Sequence, residues 1–221
     1  MYSNLDATNF GGTVPFYNLT FEDILSKITI CYYIMREDYQ IIENDENKIR
    51  DILVIRYLKN DKIRQKVGLI DFNFEREVQE DESNGRTDIK ITSADTFKKQ
   101  KAYYIIECKR LDNVNTTGTT GLNAKYISDG INRFVTKKYS SFYRVNGMIG
   151  FIVEEMDIHN NTGKINSLLK SSESIDTTKE ITKGNFINDF EYQYHSEHID
   201  KDNDKFGLYH LMFDFSDKIS R

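Results

Sequence analysis

The run Tyr103-Tyr104-Ile105-Ile106-Glu107-Cys108-Lys109-Arg110 constrains this chain more than any other segment. Consecutive large apolar residues, with no polar face, read as a strand buried inside a sheet. Such a strand seldom carries Glu and Lys, because an unpaired charge is costly to bury. Residues two apart on a strand point to the same face. Glu107 and Lys109 therefore emerge side by side where the apolar run stops, and Cys108 points the other way as a small core residue. An ion pair on an exposed strand is the plainer reading of E-x-K, and the apolar run ahead of it argues against that reading.

The elements around this run follow from periodicity. Residues 1–19 read as an irregular arm, broken by Gly11-Gly12 and Val14-Pro15. A helix is expected from Thr20, with Thr20 as cap, Glu22 and Asp23 at its positive end, and Ile24, Ile28 and Cys31 at helical spacing. A second helix is expected from Glu43 to Leu58, capped by Asn44 or Asp45, with Ile49, Ile52, Leu53 and Arg56 in step. Residues 68–79 alternate as a half-buried strand, Asn84-Gly85 makes a hairpin turn, and residues 87–92 form the returning strand. The strand 103–109 comes next, then a Thr/Gly/Asn loop over 112–121, a helix from Leu122 to Tyr139 and an interior strand at 147–153. The rest reads as a helix near 158–170, a polar loop at 171–185, and strands at 190–195 and 208–215. This order predicts an α/β fold, a central mixed β-sheet flanked by α-helices. The 221 residues fit one domain: the arm, a core over 43–153 and a C-terminal extension over 156–221.

Charge is segregated along the chain. The formal net charge is −5, which excludes a protein that coats nucleic acid non-specifically. Residues 98–110 and 121–145 each carry a local +4, whereas residues 189–204 hold one Lys against six acids. The basic middle leaves room for a single nucleic-acid site. Two cysteines without a C-x-x-C fit a reducing compartment, and no run approaches the ~18 apolar residues of a membrane span. With no leader pattern at its start, the chain is expected to be cytoplasmic and to have no membrane partner.

The chemistry sits between two strands. If residues 87–92 pair with 103–109, Asp88 comes opposite Glu107. Two adjacent carboxylates resist ionising together, and a hard divalent cation relieves them. Mg²⁺ or Mn²⁺ is the expected cofactor, with Asp88, Glu107 and the Cys108 carbonyl as its oxygen ligands. Beside it, the Lys109 ammonium would orient water and steady charge on a phosphate, which suits in-line attack on a phosphodiester. Glu77, near the end of the preceding strand, is a further carboxylate for the same site or a solvent-facing charge; Glu75 is a weaker candidate. On the helix after the E-x-K strand, Tyr126, Gly130, Arg133 and Lys137 share a face, opposite Ile127, Ile131 and Phe134. Arg133, Lys137 and Tyr126 are thus candidates for nucleic-acid contact, with a solvated outer face as the alternative and close helix packing as the plain reading of Gly130.

Asp88 followed by Glu107-Cys108-Lys109 resembles the PD-(D/E)XK nuclease superfamily, the restriction-endonuclease-like fold. The resemblance covers roughly residues 43–153, including the order of elements, and departs from the family in having Thr87 where the family name has Pro. It implies a first acidic residue on the helix before the sheet, Glu46 here with Glu43 one step behind it. It also implies a Mg²⁺-dependent endonuclease acting on nucleic acid, DNA in the first place, as a homodimer, with restriction or host defence as the expected setting. A catalytically inactive module of the same fold, binding nucleic acid or a protein partner, is the alternative. The remaining features are weaker. His195-x-x-His198, with His159 and His210, is poor zinc geometry. Gly118-x-x-Gly121 reads as a flexible loop. Tyr103, Tyr104, Tyr139, Phe142 and Tyr143 are stacking candidates for bases, or else core and rim aromatics.

Overall fold

The structure, a computed structural model, describes residues 13–81, 83–139 and 142–220. The chain passes through α1 (Thr13–Asp38), α2 (Glu46–Ile52), α3 (Asp61–Val67), β1 (Asn73–Gln79), β2 (Arg86–Thr92), α4 (Ala94–Lys98) and β3 (Tyr103–Leu111). It continues through α5 (Leu122–Tyr126), α6 (Asn132–Val135), β4 (Val145–Ile152), α7 (Ile158–Lys170), β5 (Asp176–Lys183), β6 (Gln193–Ile199) and β7 (Lys205–Asp214). π-helical turns extend α2 over Leu53–Leu58 and join α5 to α6 over Ile127–Ile131. All seven strands form one mixed sheet in the order β1-β2-β3-β4-β7-β6-β5. The central pairs β3–β4 and β4–β7 are parallel, and the outer pairs are antiparallel.

Strand parity builds two cores. Along β3, Tyr104, Ile106 and Cys108 face the layer that holds α1 to α3, while Tyr103, Ile105 and Leu111 face the layer of α5, α6 and α7. The same alternation puts Ile149 and Phe151 of β4 on the first side, Met148 and Ile152 on the second. Glu107 and Lys109 stand in the second row, between Ile105 and Leu111. The strand therefore does not stop at the charges but runs through them. Among the described residues no helix is long and apolar enough to cross a membrane.

Several expected boundaries move, each for a physical reason. α1 begins at Thr13, so residues 13–19 are helical; Gly11-Gly12 lie outside the described residues. Pro15 sits in the first turn, where its missing N–H costs no hydrogen bond, so an expected breaker is a start signal. α2 starts at Glu46, capped by Asp45, whose side chain accepts from Lys48 N, and this leaves Glu43 outside the helix. β1 starts only at Asn73. Residues 61–67 form a helix that Gly68 ends in a left-handed conformation, and Ile70 is exposed, so the alternation over 68–72 is fortuitous.

The helix expected to reach Tyr139 ends at Val135. Lys137 takes a left-handed conformation, with its N–H bonded to Phe134 O and the Lys138 N–H to Arg133 O. This is the Schellman arrangement, with Lys in the usual glycine position. β5 occupies what reads as a polar loop. It is an edge strand with only Ile181 buried, and its exposed Lys179 and Lys183 guard the edge while hiding the strand period.

Candidate functional site

Four elements deliver charge to one point beside β3. The pairing of Ile89 with Ile106 brings Asp88 of β2 next to Glu107. The Cys108 N–H donates to Asp88 Oδ2 at 2.8 Å, which draws the Asp88 side chain towards the strand centre. The first turn of α2 contributes Glu46, whose Oε2 accepts from the Arg110 N–H at 2.8 Å. Beyond the π turn, α6 contributes Arg133.

The common point is the Lys109 ammonium. It donates to Glu107 Oε1 at 2.7 Å, to the Cys108 carbonyl at 2.7 Å and to Glu46 Oε1 at 3.2 Å, with Asp88 Oδ2 at 3.7 Å. The sequence-predicted set of Glu46, Asp88, Glu107, Cys108 O and Lys109 thus converges. Glu107 is fully buried and Lys109 nearly so, whereas Glu46 and Asp88 reach the rim of a cleft of about 300 Å³. Arg133 Nη1 donates to Glu107 Oε1 at 2.8 Å and keeps 32% of its side chain exposed in that cleft. Glu77 also lines it, 3.1 Å from Arg50 Nη2, and the left-handed backbone of Glu77 within β1 marks local strain.

The electrostatics follow from three carboxylates, Glu46, Asp88 and Glu107, packed against three cations, Lys109, Arg50 and Arg133. Burial, and then the charge of Asp88, push the Glu107 carboxyl up to about 7 against the pull of Lys109 and Arg133. Burial works to lower the Lys109 pKa, but Glu107, Asp88 and Glu46 outweigh it and hold the ammonium well above its ordinary value. The two shifts have the same sign for different reasons, burial first for Glu107 and neighbouring carboxylates for Lys109.

Two residues of the cluster were not read from the sequence as part of it. Arg50, only 2% exposed, donates from Nη1 to Asp88 Oδ1 at 2.8 Å and from Nη2 to Asp51 Oδ1 at 2.8 Å. It lies four residues after Glu46 on one helix, a spacing that places both on one face and could have flagged it. Tyr139, also buried, has its hydroxyl 2.7 Å from Glu107 Oε2, 2.6 Å from Arg133 Nη1 and 2.9 Å from the Arg86 carbonyl.

Other expected site residues are not brought in. Tyr126 is fully buried, with its hydroxyl on His210 Nδ1 at 2.9 Å, and no strand of nucleic acid can reach it. Lys137 leaves the helix face and pairs with Asp202 at 2.5 Å. The helix ends at Val135, which leaves Lys137 beyond it in the left-handed turn, and the π turn shifts the period between Tyr126 and Arg133, so the four residues do not form one stripe. A Cβ on Gly130 would meet the Met148 methyl at 2.5 Å, so Gly130 serves close packing. Glu43 is exposed, 4.0 Å from Lys48, and Glu75 pairs with Lys59 at 3.0 Å. The Cys108 thiol is buried among apolar side chains on the opposite face.

Among the described residues no three metal-ligating side chains are grouped to hold an ion. The reason is visible: Lys109 Nζ stands between the carboxylates. In kind the donor set fits a hard divalent cation, since two carboxylates and a carbonyl converge on one cation position with a third carboxylate at the rim. No protein-family model matches the chain, and neither does any curated protein or solved structure.

Proposed function

We propose that the chain is a metal-dependent nuclease that hydrolyses phosphodiester bonds, with DNA as substrate. One observation carries this reading: three carboxylates, a carbonyl and a buried ammonium from α2, β2 and β3 meet at one cation position beside a cleft. Arg50 on Asp88 and Arg133 on Glu107 bring the cations to three, so it is the convergence of oxygen ligands on one position that supports the reading. The antiparallel–parallel order around β3 is compatible with a restriction-endonuclease-like core, and that finer fold belongs to the proposal.

Each residue has a task in it. Asp88, Glu107 and the Cys108 carbonyl would hold Mg²⁺ or Mn²⁺, with Glu46 as the outer carboxylate. The bound ion supplies Lewis-acid stabilisation and a more acidic water. Lys109 steadies the charge that develops on the phosphate. Arg133, half in solvent, offers its guanidinium to the backbone. Arg50 and Tyr139 position: the first fixes Asp88, the second fixes Glu107 and Arg133. A homodimer in a cytoplasmic defence role is the setting this reading implies.

A non-catalytic module of the same fold is the second reading, and the Lys109 ammonium already neutralising the carboxylates favours it. Plasmid cleavage separates the two. Wild-type protein is expected to cut with Mg²⁺ or Mn²⁺ and to stop in chelator, and Lys109→Ala is expected to reduce cutting to background. Cutting by Lys109→Ala at the wild-type rate would overturn the nuclease reading. Titration calorimetry that detects no Mn²⁺ binding, together with no cleavage by the wild type, would favour the module.

A further inference from the structure

Beside the cleft lies a second hollow, of about 370 Å³. Lys138 lines both, and Tyr139 lines the second while its hydroxyl reaches Glu107, which is buried behind Arg133 of the first. The partition between them is the β1–β2 hairpin loop, fastened where Ser83 Oγ donates to the Lys138 carbonyl at 2.5 Å. Gly85 permits that contact, since a Cβ there would sit 2.4 Å from the same carbonyl. The two hollows are therefore about one side chain apart.

The second hollow is lined by Lys101, Lys137, Lys138 and Arg144 against the acids Glu80 and Asp81, so cations outnumber acids in its walls. Phe142 is 38% exposed at its rim, with Lys99 Nζ 5.3 Å from the ring centroid, which gives a stacking surface beside a cation. Lys138 is exposed and Arg144 forms a wall. Arg144 donates from Nη1 to Asp200 at 2.9 Å and from Nε to the Lys205 carbonyl at 3.0 Å, but its Nη2 is buried with no hydrogen-bond partner. That nitrogen is closed off from the hollow, so Arg144 contributes its fixed positive charge to the wall and not a free donor. Lys137 and Arg144, at either end of the segment that carries Lys138, Tyr139 and Phe142, both hold left-handed backbone, which costs each of them energy. A larger hollow of about 770 Å³ near Glu154 and Asp217 has acids as its only charged lining residues and would repel a phosphate backbone.

We propose that this hollow seats one unpaired nucleotide of the substrate strand, next to the phosphodiester held at Glu107. A base can stack on Phe142 and enter the hollow only when it is out of the duplex. The substrate class is therefore nucleic acid with a single-stranded stretch, an end or a flap. The seat rests on the nuclease reading for its role, but its occupancy is measurable without cleavage.

The experiment is fluorescence anisotropy in chelator, with a short labelled oligothymidylate, alone and annealed to its complement. Wild-type protein is expected to bind the single strand more tightly than the duplex. Phe142→Ala should weaken single-strand binding about tenfold. Lys138→Gln should weaken it and lower the salt slope by about one. Both side chains are exposed, so neither change threatens the fold. Unchanged single-strand affinity in both Phe142→Ala and Lys138→Gln, or equal wild-type affinity for single strand and duplex, overturns the seat even if plasmid is cut. Loss of binding in Phe142→Ala alongside cutting by Lys109→Ala supports the seat and removes the nuclease mechanism.

Discussion

The sheet buries two polar clusters, and they are built on opposite terms. Around Lys109 the groups are charged and shared, Glu46, Asp88 and Glu107 among Lys109, Arg50 and Arg133. On β6 and β7 they are neutral and matched one to one. There Tyr126 Oη contacts His210 Nδ1 at 2.9 Å, His210 Nε2 contacts Ser196 Oγ at 2.8 Å, Ser196 Oγ contacts His198 Nε2 at 2.8 Å, and His198 Nδ1 contacts Thr177 Oγ1 at 3.1 Å. One direction of donation satisfies the whole chain, from the tyrosine hydroxyl to the threonine, with each imidazole carrying a single proton. Burial pushes His198 down to about 4 and His210 well below its ordinary value, so both stay neutral. A buried neutral network of this kind holds strands in register. A buried cluster of charges costs desolvation energy, and the proposed chemistry would account for that cost.

If that contrast is right, the two clusters must fail differently. Glu107→Gln is the largest expected effect: cleavage falls at least about a hundredfold, the scale of removing one group that stabilises the transition state. Stability holds or rises. The amide oxygen can accept from Lys109 and Arg133, and the amide nitrogen can donate to Tyr139, whose hydroxyl proton then turns to the Arg86 carbonyl 2.9 Å away. Rates of plasmid nicking and urea unfolding check both halves. A marked loss of stability would make Glu107 a structural ion-pair partner and erase the contrast.

Ser196→Ala comes next and reverses the pattern. It strips the partner from two buried imidazoles at once, and unfolding free energy should fall by about 2–4 kcal/mol. Cleavage per folded molecule should not change, because no residue of the cluster lines the cleft. A cleavage defect in folded Ser196→Ala protein would tie the neutral network to the site.

The difference between the clusters also explains what the sequence could reveal. Glu107 and Lys109 were legible because strand parity is a strict rule and because charge inside an apolar run is anomalous. Asp88 was legible from its place after a turn opposite that run. Arg50 was not, since a buried Arg on a helix looks like any solvated one until its acids, Asp51 and Asp88, are seen around it. Lys137 was misplaced because the helix ends at Val135 and not at Tyr139, and Tyr126 because it is buried in the same core as Ile127, so α5 has no outer face there. The neutral network was invisible for the converse reason. His198, Ser196 and His210 lie on paired strands, His195 pairing with Tyr209 and Ser196 with Leu208, and only this register brings them together. β5 was hidden because edge strands are protected by the same charges that mark loops.

The smallest expected effect is the one that sets the clusters against each other directly. The folded His198 is depressed from 6.5 to about 4. Between those values the unfolded chain binds a proton that the folded one refuses, so acid destabilises the fold as pH drops through this window. The folded Glu107 is raised from 4.5 to about 7. Between those values the folded chain binds a proton that the unfolded one does not, so acid stabilises the fold over nearly the same window. The two contributions oppose each other in wild-type protein and leave a shallow dependence, tilted towards acid loss by the second buried imidazole, His210. Glu107→Gln removes the compensating half. Its urea-unfolding free energy should then fall with acidification more steeply than wild type, by up to about 1.4 kcal/mol per pH unit, the slope of one proton. Parallel curves for the two proteins across this window would mean that Glu107 is ionised throughout, balanced by Lys109 and Arg133. Burial of Glu107 would then be offset in full by its cations, and the argument for a divalent cation at this position would rest on the converging oxygen ligands alone.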